Sequence, residues 1–371
     1  MQYRLCVPCL LGLEGPINDE LRRLGMENIA NENGRVYFTG DEASIASANI
    51  NLRIGERVLI EVGRFNAYSF DELFEGTKAL PWEAYIPADG AFPVKGYSLN
   101  SKLFSVSDCQ KIIKKAVVER LKTKYHTDWF KESGPLYQLQ FSIMKDTVSL
   151  CIDTSGEGLH KRGYRPAHNA APLKETMAAA MVNISRYRGR DDFCDPFCGS
   201  GTIPIEAALI ALNRAPGLKR SFSADKWPSI PAQLWDNARD EARAKEYHGS
   251  YNIIGSDIDP KAIEIAKENA ARAGVGDIIH FEVADASEFS RQTERGVIVT
   301  NPPYGERIME KQEAEALYRS FGAAWQKSEN WSLYLLSSHT EFERTFGRTA
   351  DKKRKLYNGM IKCDLFMYFK K

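Results

Sequence analysis

Hydrophobic patterning divides the chain into two regimes. Downstream of Asp191, apolar runs at 192–195, 252–257, 278–283, 297–300 and 331–336 alternate with helical stretches at 202–213, 260–273 and 313–326. A last apolar run, 363–369, reads as the final strand. Parallel strands need a crossover, and helices supply it, so this alternation predicts an α/β, doubly wound and mainly parallel sheet.

Upstream, the pattern is mixed α+β. Residues 1–45 read as strand (5–11), helix (15–24) and strand (35–38), with Gly12, Gly25 and Gly34 between them. Residues 46–155 give strands at 58–62 and 92–96, a helix at 71–80 ending at Pro81-Trp82, and a hairpin of 137–143 and 147–152 around Lys145-Asp146. Their clearest element is a helix over 108–125. Asp108 is placed to cap it, Ile112, Ala116, Val117 and Leu121 share one face, and Lys111, Lys114, Lys115 and Lys122 cover much of the rest. The glycine-rich basic stretch 156–167 (GEGLHKRGYRPA) reads as a linker or functional loop, and 172–186 as a helix rich in Ala and Met.

Length and composition set the frame. A chain of 371 residues is long for one core and suggests two or three domains, while 43% apolar and 27% charged residues are ordinary for globular proteins. No apolar run reaches the roughly 18 residues of a bilayer span, and the first residues lack a signal-peptide pattern, so no membrane association and a cytoplasmic location are expected. Seven irregularly spaced Cys read as reduced thiols; Cys6-Val-Pro-Cys9 lacks a second pair or nearby His for zinc, and no metal is expected.

Net charge is only +1, but basic residues cluster. Lys95–Lys124 holds eight basic residues against two acidic, His160–Arg190 seven against one, and Arg344–Lys371 nine against two. Three such clusters favour a polyanionic partner.

Four short motifs close successive strands. Asp195-Pro-Phe-Cys-Gly-Ser-Gly-Thr-Ile-Pro204 joins a strand to an apolar helix; Gly199 and Gly201 allow a tight bend, and the helix start offers free N–H groups. The pattern departs from GxGxxG, and no Walker lysine follows. Gly255-Ser-Asp-Ile-Asp-Pro260 ends the next strand, where Asp257 is placed for ribose hydroxyls and Asp259 to cap a helix. The two strands are separated by an apparent insertion at about 213–250. Glu282-Val-Ala-Asp285-Ala286 closes the third strand, and Asn301-Pro-Pro-Tyr304 the fourth.

In this order the motifs resemble class I S-adenosyl-L-methionine-dependent methyltransferases, with NPPY like the amino-methylating signature of that superfamily. The strings HKRGYR…APLKETMAAA, DPFCGSGTIPIEAA and VTNPPYGERI are similar to the bacterial guanine-2-amino methyltransferases of 23S ribosomal RNA (RlmL-like). Residues 46–155, with QKIIKKAVVERLK, look like the THUMP RNA-binding domain of those enzymes. The resemblance implies a ferredoxin-like segment at 1–45, THUMP at 46–155, and at 156–371 a Rossmann-like methyltransferase sheet whose last strand is antiparallel. It places Asp195, Phe197, Gly199, Gly201 and Thr202 on the methionine and ribose side of the donor, with Leu173 and Lys174 in the helix start (Ala171–Thr176) that cradles the methionine. Asp257 and Ile258 then take the ribose, and Asp285 and Ala286 the adenine; Asn301 borders the donor too. Expected RNA contacts are Lys111, Lys114, Lys115, Lys161, Arg162 and Arg165, with His160 and Tyr164 in the same linker. No second methyltransferase module follows, so one modification is expected, and no segment signals an obligate protein partner.

The chemistry of NPPY fits on its own terms. An exocyclic amine conjugated to a base ring is a poor nucleophile, because its lone pair is delocalised. The Asn301 side-chain carbonyl and the Pro302 carbonyl can each accept an amine hydrogen, and the prolines preorganise them. Tyr304 offers a face on which an extracted base can stack. Asn301, Pro302 and Tyr304 are therefore the expected catalytic residues, with no covalent intermediate. Glu306 and Arg307 form a loop salt bridge or orient the substrate. The motif leaves the base open: guanine 2-amino or adenine 6-amino, in RNA or DNA. The basic THUMP-like region favours RNA, and ribosomal RNA of the large subunit or its precursor is the expected partner. A donor-free RNA-binding protein and a nicotinamide oxidoreductase fit less of the motif series.

Overall fold

A computed structural model describes residues 1–165, 173–291, 293–304, 311–328, 330–359 and 361–370. Their strands assort into two seven-stranded sheets. The chain forms two compact units: Met1–Pro8, Glu20–Leu159 and Arg220–Asp240 make the first, and Cys9–Asp19, His160–Lys219 and Glu241–Lys371 the second. Much of the segment read as an insertion, Arg220–Asp240, thus folds with the first unit; there Trp227 stacks on Tyr137 at 4.5 Å and its indole donates to the Leu136 carbonyl.

The elements of the N-terminal part, in chain order, are β1 (Tyr3–Pro8), α1 (Glu14–Arg23), β2 (Glu27–Glu32), β3 (Arg35–Gly40), α2 (Glu42–Asn51), β4 (Leu59–Asn66), α3 (Phe70–Lys78), β5 (Val94–Leu99), α4 (Val106–Tyr125), β6 (Leu139–Met144) and β7 (Thr147–Asp153). The sheet order is β2-β3-β1-β4-β7-β6-β5. Only β5 and β6 pair in parallel, because α4 carries the chain back between them. Helix α4 begins at Val106, two residues before its expected cap. Ser105 is the N-cap, and its hydroxyl donates to Asp108, which sits inside the first turn where a carboxylate suits the helix dipole. Its buried stripe is Cys109, Ile113, Ala116, Val117 and Leu121, so Ile113 rather than Ile112 faces the core.

The second part follows with α5 (Glu175–Ile184), β8 (Asp192–Asp195), α6 (Thr202–Ala211), α7 (Ala232–Ala244), β9 (Ile253–Asp257), α8 (Pro260–Ala273), β10 (Ile279–Val283), β11 (Gly296–Thr300), α9 (Lys311–Trp325), β12 (Trp331–Ser337), α10 (Phe342–Phe346), β13 (Lys352–Asn358) and β14 (Ile361–Tyr368). The sheet order is β10-β9-β8-β11-β12-β14-β13. Strands β8 to β12 run parallel, and β14 is antiparallel to β12 and to β13.

Local chemistry sets the element ends. In α8, Asp259 accepts the Lys261 N–H at 2.9 Å, Pro260 opens the helix and Gly274 closes it at φ +76°. Helix α6 is buried along its whole length, as its run of Ile, Leu and Ala demands. After β8 the chain lays β9 and β10 on one side and then returns to lay β11 and β12 on the other. This reversal is the switch point at which doubly wound sheets bind ligands, beyond the carboxyl ends of the strands. Asp195, Asp257, Val283 and Thr300 end the four strands around it. Among the described residues no helix is long and apolar enough to cross a membrane.

Candidate active site

The turn between β8 and α6 is held by hydrogen bonds that also engage its neighbours. Gly199 and Gly201 take left-handed backbone, at φ +51° and +81°. A Cβ on Gly201 would lie 3.0 Å from the Ala266 Cβ, whereas one on Gly199 meets nothing within 4 Å. The loop is thus packed on one side and open on the other. The Cys198 N–H donates to the Ser256 carbonyl at 2.9 Å, and Asn269 Nδ2 donates to the Ser200 carbonyl at 3.0 Å. Phe197 meets Phe321 edge-on at 5.2 Å.

Three carboxylates stand at the strand ends. Asp195 is buried; its Oδ1 accepts the Phe197 N–H at 3.1 Å and the Thr300 hydroxyl at 2.6 Å. Asp257 is half-buried; Oδ2 accepts the Gly199 N–H at 2.9 Å and Oδ1 the Asp259 N–H at 3.0 Å. Asp285 is exposed, and its Oδ1 accepts the Ser287 N–H at 2.8 Å, with Ala286 buried behind it. Beside them Ile258 is 68% and Val283 54% exposed, two apolar side chains at the same sheet edge. Val283 was not singled out from sequence, although it ends the third apolar run. Three acids, two exposed apolar side chains and a loop open at Gly199 suit a ligand with cationic, ribose and flat aromatic parts. S-adenosyl-L-methionine has all three.

Burial pushes the Asp195 carboxyl up to about 7, partly offset by the bonds from Thr300 and Phe197. An unfolded Asp titrates near 4. The folded chain therefore holds the extra proton between about pH 4 and 7, so the stability contribution of this group falls across that window as pH rises and stays low above it. Asp195→Asn is neutral throughout. In donor-free protein it is expected to gain stability relative to the wild type from pH 5 to 8, by at most a few kcal/mol. Thermal unfolding at several pH values checks this, and parallel curves for the two proteins would contradict it.

The fourth strand end carries the amide. The Thr300 hydroxyl ties β11 to Asp195, and the Asn301-Pro302-Pro303-Tyr304 turn follows directly. The Tyr304 hydroxyl donates to Asn301 Oδ1, the atom expected to accept the substrate's amine. The Pro303 carbonyl accepts from Tyr318 in α9 at 2.6 Å. Glu306 and Arg307 lie outside the described residues, as do Ala171 and Pro172 of the segment expected to cradle the methionine. Within that segment Leu173 is buried, and Lys174 is the N-cap of α5 without a side-chain bond to it.

Three of the expected RNA contacts are paired within the protein. Arg162 is buried and paired with Glu206 of α6 at 3.4 Å, and the Tyr164 hydroxyl donates to the same carboxylate at 3.2 Å. Arg165 bonds Glu175 Oε1 at 2.9 Å, and both the Leu173 carbonyl and the Thr202 hydroxyl at 3.2 Å. It links the start of α5 to the start of α6, next to the glycine turn. Lys114 pairs with Glu132 at 2.6 Å, sits 3.4 Å over the Phe92 ring, and has its pKa lowered by burial. A buried charge must be compensated, as that of Arg162 is by Glu206, and the part-buried Arg165 and Lys114 are likewise paired within the protein. The sequence carries a signal for Arg162: Glu206 lies inside the apolar run IPIEAALI, where an acid needs an internal partner. Lys111, Lys115 and Lys161 are exposed.

The strand order, the strand-end acids and the glycine turn define a class I S-adenosyl-L-methionine-dependent methyltransferase domain. Comparison with known families agrees. A profile described as "RMKL-like, methyltransferase domain" matches residues 162–366, the RlmL ferredoxin-like domain matches 4–59, and the THUMP domain matches 67–153. The chain belongs to the RMKL-like methyltransferase family. It is 47% identical, across its whole length and 97% of the relative, to "Putative RNA methyltransferase YpsC" of Bacillus subtilis. It is 34% identical over 98% of its length to "Ribosomal RNA large subunit methyltransferase K/L" of Marinobacter nauticus, of which it spans 52%. The solved structure of SMU.472, titled a putative methyltransferase complexed with SAH, superposes with a TM-score of 0.94 at 40% identity, covering 100% of this chain and 98% of that one.

Proposed function

We propose that the protein methylates the exocyclic 2-amino group of a guanine in RNA, with 23S ribosomal RNA or its precursor as substrate. One observation carries the reading: the 2.6 Å bond from Thr300 to Asp195 sets the Asn-Pro-Pro-Tyr turn directly beside the glycine turn. An amine-orienting turn and a donor-binding turn then share one sheet edge. Three supports join it: the THUMP match, the RNA in the name of YpsC, and the ribosomal RNA in the name of the K/L relative.

In this reading Asp195, Phe197, Gly199, Gly201 and Thr202 line the methionine side of the donor, with Leu173 and Lys174. Asp257 and Ile258 take the ribose, and Asp285 and Ala286 the adenine. When bound, S-adenosyl-L-methionine supplies an electrophilic methyl group. The flipped base brings its amine to Asn301 Oδ1, where it replaces the Tyr304 hydroxyl. The displaced Tyr304 ring then stacks on the base. Asn301 Oδ1 and the Pro302 carbonyl turn the amine lone pair toward the methyl group and stabilise the positive charge growing on nitrogen. Positioning supplies much of the rate. Lys111, Lys115 and Lys161 remain as exposed candidates for RNA phosphate.

Incubation of the full chain with methyl-labelled donor tests the substrate class. Label is expected in large-subunit ribosomal RNA from cells lacking the protein, and not in duplex DNA. Label in DNA alone would favour the second reading, an adenine 6-amino methyltransferase, which the NPPY turn serves equally well.

A further inference from the structure

The Asn301–Tyr304 turn has an unusual weakness. Its two central residues are prolines, so neither donates an N–H, and no backbone ladder can fix the peptide planes at positions 302 and 303. The turn has to be held through its carbonyls. One such hold exists. Tyr318 of α9 is completely buried, and its hydroxyl donates to the Pro303 carbonyl at 2.6 Å.

That hydroxyl ends a relay of hydrogen bonds. The His339 backbone N–H donates to Ser337 Oγ at 3.1 Å, and Ser337 Oγ lies 3.3 Å from the Tyr318 oxygen. Because Tyr318 gives its proton to Pro303, Ser337 is the donor in that second contact. His339 is itself fixed. Its Nδ1 accepts the Glu341 N–H at 3.1 Å, and its Nε2 faces Glu315 at 3.1 Å. The Tyr318 ring is wedged edge-on between His339, at 5.9 Å, and Phe342, at 5.0 Å. Burial pushes its phenol up to about 12, so it remains a proton donor at neutral pH. In such a chain each bond polarises the next, and the low local dielectric strengthens the last.

We propose that Tyr318, fed by Ser337, is a positioning residue for methyl transfer: it occupies the Pro303 carbonyl and so fixes the turn with the Pro302 carbonyl and Asn301 Oδ1 left to receive the amine. The proposal rests on the amine-transfer reading above. Without the Tyr318 hydroxyl, the part-buried Pro303 carbonyl loses this partner and competes for the amine hydrogens, and the turn can rotate away from its productive setting. The ring packing is untouched in Tyr318→Phe, so the effect falls on geometry at the turn and not on the core.

The test is steady-state methyl transfer to ribosomal RNA by the full chain, for wild type, Tyr318→Phe, Ser337→Ala and Asn301→Ala, with donor affinity measured by calorimetry. Tyr318→Phe is expected to lower kcat about tenfold, and Ser337→Ala roughly two- to fivefold, with donor Kd within about twofold of wild type for both. Wild-type kcat in Tyr318→Phe overturns the proposal, as does a rate loss matched by an equal loss of donor binding, which a general loosening of the fold would produce. Should Tyr318→Phe fail to fold, Ser337→Ala carries the same test. Full activity in Asn301→Ala would instead remove the reading beneath the proposal, and an inactive Asn301→Ala beside a fully active Tyr318→Phe removes only the positioning role.

Discussion

Replacing Asn301 by alanine is expected to slow methyl transfer by roughly 10²- to 10³-fold while leaving donor affinity within about twofold, the loss typical of one preorganised charge-stabilising group. The reason lies in what the side chain touches. Asn301 Oδ1 is bonded to the Tyr304 hydroxyl, and among the described residues no hydrogen bond joins it to the glycine turn, so although the resemblance places it at the donor's border it does not hold the donor loop. The donor turn is held separately, by Asp195, Ser256, Asp257 and Asn269. Removing the amide therefore costs the amine its acceptor and leaves the donor loop as it was. A loss in kcat with unchanged donor Kd is the signature of a group that acts mainly in the transition state. Single-turnover transfer together with calorimetric titration of the donor reads both quantities. A variant that transfers at the wild-type rate would show that the amide is only the end of a strand.

Asp257→Ala is expected to do the reverse, raising the donor Kd by about 10- to 10²-fold. Its carboxylate bonds the Gly199 and Asp259 N–H groups, and in the proposed complex it takes the ribose hydroxyls as well. Hydrogen bonds to a charged group contribute about 1.5–3 kcal/mol each, and losing even one of this set accounts for the expected range. Asp257→Asn keeps one acceptor oxygen and should fall between wild type and alanine. Calorimetry on the donor-free protein gives the answer directly, and an unchanged Kd in Asp257→Ala would remove this residue from the donor site.

The sequence was most legible where backbone rules and side-chain chemistry coincide. Helix α8 could be bounded to the residue: Asp259 and Pro260 mark its start by mechanism, and its expected span of 260–273 is the observed one. The ends of β8 to β11 could be read for the same reason: an acid or an amide stands at the end of each strand or within two residues of it. Two of the four edge strands, β2 and β13, were not legible. Strand β2 reads ENIANE and β13 reads KKRKLYN. Polar and charged residues suit a sheet edge and hide the two-residue period. Helix α2 was missed although Asp41 caps it through the Ser44 N–H, because its small and polar residues give little amphipathic contrast. The linker misled in a different way. Its arginines read as a surface for RNA, yet Arg162 and Arg165 find Glu206 and Glu175, partners some 44 and 10 residues away. Pairing across such distances is a property of the fold, visible in the sequence only as an acid set in an apolar helix.

The identity of the methylated nucleoside tests the account at its centre. Large-subunit ribosomal RNA from cells lacking the protein, treated with the full chain and S-adenosyl-L-methionine, is digested to nucleosides and analysed by mass spectrometry. The account predicts one new product, guanosine methylated on its 2-amino group, formed roughly 10²- to 10³-fold more slowly when Asn301→Ala replaces the wild type. Methylation of the adenine 6-amino group in place of guanine would contradict it.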